Sequence, residues 1–154
     1  MKNKISIFFL AMAGIFLLAS SQAGAEPAPT ATQITVYKDK SCVCCDTWVD
    51  HLRAEGFEVI AKNQTNMPEI KANFGVSRNL QSCHTAIVDG YVVEGHVPAA
   101  DIKRMLREKP DVLGLTAPGM PQKSPGMQPE GLPPKDYDVL SFDHKGKVEL
   151  FQRY

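Results

Sequence analysis

The stretch Q-I-T-V-Y-K-D-K-S-C-V-C-C-D-T-W-V-D-H-L, residues 33–52, carries the clearest secondary-structure signal of the chain. Its first five residues alternate and include β-branched side chains, which is typical of a β-strand. After a polar loop, apolar residues recur at three- and four-residue spacing and predict one face of a helix from about Val43 to Glu55. Three cysteines, Cys42, Cys44 and Cys45, fall where this strand leads into this helix.

The residues that follow extend the pattern into a βαβ unit. Gly56 is placed to end the helix, and 57–61 read as a second strand. Two strands joined by a helix form a parallel pair with helices packed on the sheet. Asn66 as a cap and Pro68 in the first turn predict a second helix, with Ile70 and Phe74 on its inner face.

Two hairpins and a third helix are expected further along the chain. Asp89-Gly90, between two β-rich runs, is a favoured two-residue hairpin turn. Pro98 opens a helix that extends to about Lys109. Strands over 137–142 and 147–151 predict a second hairpin at the C-terminus.

The segment from Pro110 to Pro134 has a different composition. It contains seven of the 11 prolines, together with four glycines, and we expect no regular structure there. It is either an ordered wrap over the domain or a mobile loop. Met120 and Met127 lie in it without any apolar periodicity, so they either anchor the loop by apolar contact or serve as soft thioether ligands.

The first 25 residues are typical of an export signal. Lys2 and Lys4 precede an apolar run from Ile5 to Ala19, and Ala23-Gly24-Ala25 supplies a small-x-small cleavage pattern. We expect a signal peptide over 1–25, a Pro/Ala/Thr linker over 26–32 and one domain over 33–154. The predicted location is the periplasm, with no membrane attachment after removal of the signal. No basic patch or nucleic-acid motif is present, so nucleic acid is not an expected partner.

The order of elements predicts an α/β fold, a thioredoxin-like variant. It has a mixed sheet with flanking helices, a Pro/Gly/Met-rich loop and a C-terminal β-hairpin. A C-x-x-C at the start of a helix fits that fold, because the free N–H groups and partial positive charge there stabilise a thiolate. The loop Gln81 to Thr85 precedes the hairpin and should bring Cys83 to the other three cysteines. It lacks the proline usual in that loop, which argues against thiol–disulfide exchange as the main activity.

The middle cysteine changes the chemistry. A redox pair gains nothing from Cys44, whereas a metal site gains a ligand. Thiolates favour Cu(I), zinc or an iron–sulfur cluster. The adjacent pair Cys44-Cys45 does not match the ligand spacings of structural zinc or iron–sulfur sites, so bridging thiolates around Cu(I) fit best.

The four histidines carry weaker signals. His84, beside Cys83, either has a ligand or proton role or points into water. His96, in E-G-H-V-P, is either a ligand or a structural turn residue. His51 falls on the polar side of its helix and His144 in a turn, and we expect both to be solvated.

Three segments together resemble the CopG-like family of exported copper-resistance proteins: C-V-C-C-D-T-W, S-C-H-T-A-I-V-D-G-Y-V-V-E-G-H-V-P-A and L-T-A-P-G-M-P-Q-K-S-P-G-M. The resemblance spans Ile34 to about Phe151. It implies copper bound by the C-x-C-C motif and a fourth cysteine as a multinuclear thiolate cluster, which by position are Cys42, Cys44, Cys45 and Cys83. It also implies a role in copper tolerance by cycling Cu(I) and Cu(II).

The leading prediction is therefore a periplasmic copper-binding redox protein. Its copper site comprises the four cysteines, with His84, Met120 and Met127 as auxiliary ligands. Expected partners are copper ions and periplasmic copper efflux or electron-transfer proteins. Whether it is a copper oxidoreductase that turns over as an enzyme stays open. The alternatives are a thiol–disulfide oxidoreductase that uses Cys42 and Cys45, and a copper chaperone without redox turnover.

Overall fold

The computed structural model describes residues 31–154. The predicted signal peptide and all but the last two residues of the predicted linker lie outside the described residues. The elements, in chain order, are β1 (Gln33–Asp39), α1 (Val43–Ala54), β2 (Glu58–Gln64), α2 (Met67–Asn73), a 3-10 turn (Arg78–Leu80), β3 (Thr85–Val88), β4 (Tyr91–Gly95), α3 (Ala99–Glu108), β5 (Gly114–Ala117), β6 (Asp138–Phe142) and β7 (Val148–Arg153). The strands form one mixed sheet in the order β2-β1-β3-β4-β5-β6-β7.

The first half of the sheet is the predicted βαβ unit followed by a hairpin. β1 runs parallel to β2 and antiparallel to β3, and β3 pairs antiparallel with β4. The hairpin turns at Asp89 and Gly90, which both have positive φ (47° and 82°), as a primed two-residue turn requires. This turn fixes the register in which Thr85 lies opposite Glu94.

The second half contains a strand that the sequence analysis did not predict. β5 runs parallel to β4 inside the segment expected to lack regular structure, so that expectation was wrong for 114–117. Gly114 permits this pairing, since a Cβ there would lie 1.8 Å from the carbonyl oxygen of Val92. Leu115 and Ala117 are fully buried, and their burial supplies the apolar stabilisation of a strand this short.

Helices cover both faces of the sheet. One core cluster joins the apolar faces of α1 and α3 to inward residues of the strands, with Trp48, Leu52 and Ile102 fully buried. A smaller cluster on the other face holds Leu80 and Phe142 together with the end of α2. Alternate residues of β3 and β4 point into the two clusters, as the period of a strand demands. The predicted α/β class with a mixed sheet and flanking helices is confirmed, and the thioredoxin-like assignment stays a prediction.

The second helix differs from its prediction in detail. Its most buried residues are Met67 and Lys71, whereas Ile70 and Phe74 are only half-buried. The Asn66 side chain does not cap the helix and instead donates a hydrogen bond to Glu69 Oε2 at 2.9 Å. The predicted C-terminal hairpin is confirmed as β6 and β7. Within residues 31–154, no helix combines the length and the apolar character that crossing a bilayer requires.

Candidate metal centre

The start of α1 presents three sulfurs. Cys42 occupies the residue before the helix, and Cys44 and Cys45 lie in its first turn. Cys42 and Cys45 form a disulfide, while Cys44 is a free thiol. The Cys44 Sγ lies 3.6 Å from the Cys42 Sγ. Cys45 is fully buried, and Cys42 and Cys44 are half-buried.

The fourth sulfur approaches from the loop before β3. The ligand atoms of Cys42, Cys44, Cys45 and Cys83 all lie within 4.8 Å of one another. Cys83 is a free thiol and half-buried. The predicted meeting of the four cysteines is therefore what the fold produces, and their role as metal ligands stays a prediction.

A buried ion pair holds the loop that carries Cys83. Glu94 Oε1 accepts hydrogen bonds from Lys71 Nζ (2.6 Å) and from the backbone N–H of Ser82 (2.7 Å). Its second oxygen accepts from the Thr85 hydroxyl at 2.6 Å. Burial raises the pKa of Glu94, and Lys71 opposes that shift. The loop is thus tied to β4 on both sides of Cys83.

His96, the residue after β4, faces Cys83. The His96 Nε2 lies 3.1 Å from the Cys83 Sγ, and the His96 Nδ1 lies 2.8 Å from the carbonyl oxygen of Pro125. A carbonyl oxygen can only accept, so Nδ1 carries the proton and Nε2 offers its lone pair to the sulfur. Burial lowers the pKa of His96, and the Pro125 carbonyl opposes that shift.

His84 is fully buried beside the same sulfur. Its Nδ1 lies 3.3 Å from the Cys83 Sγ, while its Nε2 has no hydrogen-bond partner within residues 31–154. The ring packs on Trp48 (4.3 Å between centroids) and against His96 (4.9 Å). Burial lowers the pKa of His84 well below its usual value, and His96 and Lys71 lower it further. The alternative that His84 faces solvent was therefore wrong.

The surroundings of Cys83 favour its protonated form, the thiol, over the thiolate. Burial raises the pKa of Cys83 to about 11, and the neighbouring Cys44 raises it as well. The metal-free protein therefore carries a thiol at this position at neutral pH. A soft metal that replaces the proton would be the group that makes the sulfur a thiolate.

The Pro/Gly/Met segment covers this cluster at two points. Near its start, the Gly119 N–H donates to the Gln81 carbonyl at 3.0 Å, and the Ser82 hydroxyl donates to the Gly119 carbonyl. Further along, Gly126 lies so close to α1 that a Cβ there would be 2.8 Å from the backbone nitrogen of Trp48. Of the two predictions for this segment, an ordered wrap or a mobile loop, these contacts agree with the ordered wrap.

The predicted methionine ligands lie in this wrap. Met120 is 56% exposed next to the Gly119 contact, and Met127 is half-buried beside Gly126. Their role as ligands stays a prediction.

His144 is exposed as expected, but His51 is half-buried and its Nε2 accepts the Ala99 N–H at 3.2 Å. The expectation that His51 is solvated was wrong, because this nitrogen receives the first N–H of α3.

His96 was the main residue of the site that the sequence analysis left undecided, although a signal for it was present. An Asp89-Gly90 turn fixes an antiparallel register, and counting pairs back from that turn sets Thr85 opposite Glu94 and Cys83 opposite His96. The bond from the Gly95 N–H to the His84 carbonyl (3.0 Å) continues the pairing up to that point. No comparable pattern in the sequence indicates the ion pair between Lys71 and Glu94.

The protein is thus of the α/β class and gathers its cysteines between the first turn of a helix and the loop before a hairpin. The family model "Protein of unknown function, DUF411" matches residues 80–127. Two solved structures, "Copper resistance protein copG- Form 2" and "Copper resistance protein copG- Form 1", each share 40% sequence identity with this chain. Each match covers 80% of this chain and 98% of the other, with a TM-score of 0.74. No curated protein matches the chain significantly. The chain belongs to the CopG-like family of copper-resistance proteins.

Proposed function

We propose that this protein is a periplasmic copper-binding protein of copper resistance that binds Cu(I) through Cys42, Cys44, Cys45 and Cys83. The observation that carries the proposal is the approach of the four cysteine sulfurs to within 4.8 Å of one another. Thiolates are the soft ligands that Cu(I) prefers. Crowded sulfurs of this kind suit ions that share bridging thiolates, so a multinuclear cluster is part of the proposal.

The disulfide gives the site a second state. With Cys42 and Cys45 joined, only Cys44 and Cys83 are free to become thiolates. When two thiolates form this bond they release two electrons, and two Cu(II) ions that each take one electron become two Cu(I). The reverse step returns both electrons to the sulfurs. This balanced exchange is how the site would interconvert Cu(I) and Cu(II) without a separate cofactor.

Access to the sulfurs supports exchange with partners. Cys44 is half-buried, and Val43 beside it is 77% exposed at the start of α1. A partner protein could therefore reach the cluster at this point. Periplasmic copper efflux and electron-transfer proteins are the partners we propose, with export directed by residues 1–25. The strand order β2-β1-β3-β4, with β3 antiparallel to β1, supports the thioredoxin-like part of the assignment.

The test is an anaerobic Cu(I) titration of the reduced, desalted protein against a chromophoric Cu(I) chelator. Cys83→Ser should lower both the affinity and the amount of copper bound, because Cys83 is the ligand from across the site. Cys44→Ser should do the same from the helix side. The four-thiolate site is wrong if Cys83→Ser binds as much copper as the wild type with the same affinity. Following copper valence while oxidant is supplied separates the redox protein from a chaperone, which would not accelerate the conversion.

A second candidate is a thiol–disulfide oxidoreductase. The disulfide between Cys42 and Cys45 at the start of a helix favours it, because the positive end of a helix stabilises the thiolate that such exchange needs. This candidate predicts that Cys44→Ser keeps its reductase activity on protein disulfides. The copper proposal predicts instead that the reduced Cys44→Ser protein binds less Cu(I), and binds it more weakly, than the wild type.

A further inference from the structure

Cys83 and two histidines form a second set of donors, which shares only Cys83 with the four sulfurs. The ligand atoms of Cys83, His84 and His96 lie within 4.8 Å of one another. The Cys83 Sγ lies 3.1 Å from the His96 Nε2 and 3.3 Å from the His84 Nδ1. None of the three residues takes part in the disulfide. The set is therefore complete in the oxidised protein, in which the four-thiolate site has lost two of its ligands.

His96 is held as metal-binding histidines usually are. Such histidines donate the second ring N–H to a carboxylate or a backbone carbonyl, which fixes the tautomer and aims the other nitrogen at the metal. Here the Pro125 carbonyl accepts that N–H at 2.8 Å. Pro125 is itself fixed, because Gly126 packs against Trp48 where no Cβ would fit.

His84 directs its Nδ1 at the Cys83 sulfur. A fully buried imidazole normally has its polar atoms hydrogen-bonded. Its Nε2 has none among residues 31–154, and its Nδ1 has only the Cys83 sulfur. The ring cannot turn toward water, since Trp48 and His96 pack against it. The Nδ1 nitrogen is therefore fixed beside the Cys83 sulfur, where a metal bound to that sulfur would also find it as a ligand.

The spacing suits one metal ion. With bond lengths of roughly 2.3 Å to sulfur and 2.0 Å to nitrogen, as in zinc sites, sulfur–nitrogen separations of 3.1 and 3.3 Å correspond to ligand–metal–ligand angles of about 90–100°. Such angles lie between square-planar and tetrahedral values. Two imidazoles and one thiolate are the ligands of copper sites that transfer single electrons and hold both Cu(I) and Cu(II).

We propose that Cys83, His84 and His96 form a second copper site, which accepts Cu(II) while Cys42 and Cys45 are joined as a disulfide. The inference rests on the proposed function in taking copper as the metal. Cys83 belongs to both donor sets. A copper ion that changes valence would therefore keep Cys83 as a ligand. Its other ligands would be cysteine sulfurs as Cu(I) and the two imidazoles as Cu(II).

The test uses the oxidised chain in a Cys44→Ser background, so that Cu(II) cannot oxidise Cys44 and Cys83 to a new disulfide. One equivalent of Cu(II) is added without reductant, and binding is followed by visible absorption and electron paramagnetic resonance. We expect one Cu(II) per chain, an intense sulfur-to-copper charge-transfer band and hyperfine coupling to two nitrogens. His96→Gln should weaken binding by at least about 100-fold, beyond the 10- to 100-fold cost of losing an outer-shell partner. His144→Gln, which changes an exposed turn histidine, is the matched control and should bind as the parent does.

Two further arms keep the result decisive. His96→Gly should regain the charge-transfer band when imidazole is added, which a merely misfolded variant would not do. The proposal is overturned if Cu(II) fails to bind, if the charge-transfer band is absent, or if His96→Gln binds like the parent. The reduced His96→Gln protein, with its four native cysteines, should still bind Cu(I). If the reduced wild type does not bind Cu(I), the proposed function is wrong. Failure of the Cu(II) site and failure of the proposed function therefore give different results.

Discussion

Cys83 and His96 face each other across the β3–β4 hairpin, with 3.1 Å between the sulfur and the Nε2 nitrogen. The hairpin register places them there, and the Pro125 carbonyl sets the tautomer of the ring. The cysteine cluster therefore has two sides, one built from the helix start and one built from the hairpin. The Pro/Gly/Met wrap connects them, since Gly126 contacts α1 while the adjacent Pro125 contacts His96.

The first prediction concerns the contact between the wrap and α1. Gly126→Ala should lower the free energy of unfolding by about 1–3 kcal/mol, because its Cβ would collide with Trp48. It should also weaken copper binding, since Pro125 would shift away from His96. Gly131→Ala is the matched control, with a similar positive φ (81° against 84°) but nothing within 4 Å of its Cβ. Equal losses for the two variants in denaturant titrations would mean that the close approach contributes nothing.

The second prediction concerns the buried ion pair beneath the Cys83 loop. Glu94→Ala should cost about 3–5 kcal/mol of unfolding free energy, because it leaves the buried Lys71 ammonium unpaired. The exposed pair between Lys103 and Glu55 is the control, and Glu55→Ala should cost about 0–1 kcal/mol. Chemical denaturation measures both. A Glu94→Ala cost as small as that of Glu55→Ala would contradict the assignment of a buried, mutually dependent pair.

The third prediction is a pH dependence. The pKa of Cys83 in the folded protein is raised from 9.0 to about 11 by burial, so the folded state holds this proton more tightly than the unfolded chain. The resulting stabilisation is fully present below pH 9 and is lost as the pH rises through 11. Alkylation of Cys83 in the metal-free oxidised protein should accordingly accelerate about tenfold per pH unit up to that value. Peptide mapping by mass spectrometry gives the rate at this position, and a plateau near pH 9 would contradict the shift.

The fourth prediction uses the single tryptophan as a reporter. The ring centroids of Trp48 and His84 lie 4.3 Å apart, so copper bound beside His84 should quench the fluorescence of Trp48. Cys83→Ser should reduce the quenching at a given copper concentration, whereas His144→Ala should leave it unchanged. Quenching that persists in full in Cys83→Ser would place the copper elsewhere.

Much of this fold was predictable because its signals are local. The strand, cysteine loop and helix over 33–54 follow from periodicity, and Asp89-Gly90 sets the register of the hairpin. β5 was missed because its four residues sit among prolines and glycines, and its pairing with β4 is parallel and distant in sequence. Burial of Lys71 and Glu94 is likewise a tertiary result, since each charged side chain is tolerated inside only in the presence of the other.

The candidate site divides in the same way. The meeting of Cys83 with the helix cysteines follows from the order of elements, which places the loop before β3 beside the start of α1. Which nitrogen of His96 faces the sulfur depends on Pro125, 29 residues away, and no local pattern encodes that contact. The disulfide between Cys42 and Cys45 depends on the redox state, which the sequence does not specify.

We propose that the sulfurs of four cysteines bind copper in the reduced protein. X-ray absorption at the copper edge, on reduced protein loaded anaerobically with Cu(I), tests it most directly. We expect a first coordination shell dominated by sulfur, a copper–copper shell from bridging thiolates, and a lower sulfur count in Cys83→Ser. A first shell of nitrogen and oxygen alone, or a sulfur count unchanged by Cys83→Ser, would contradict it.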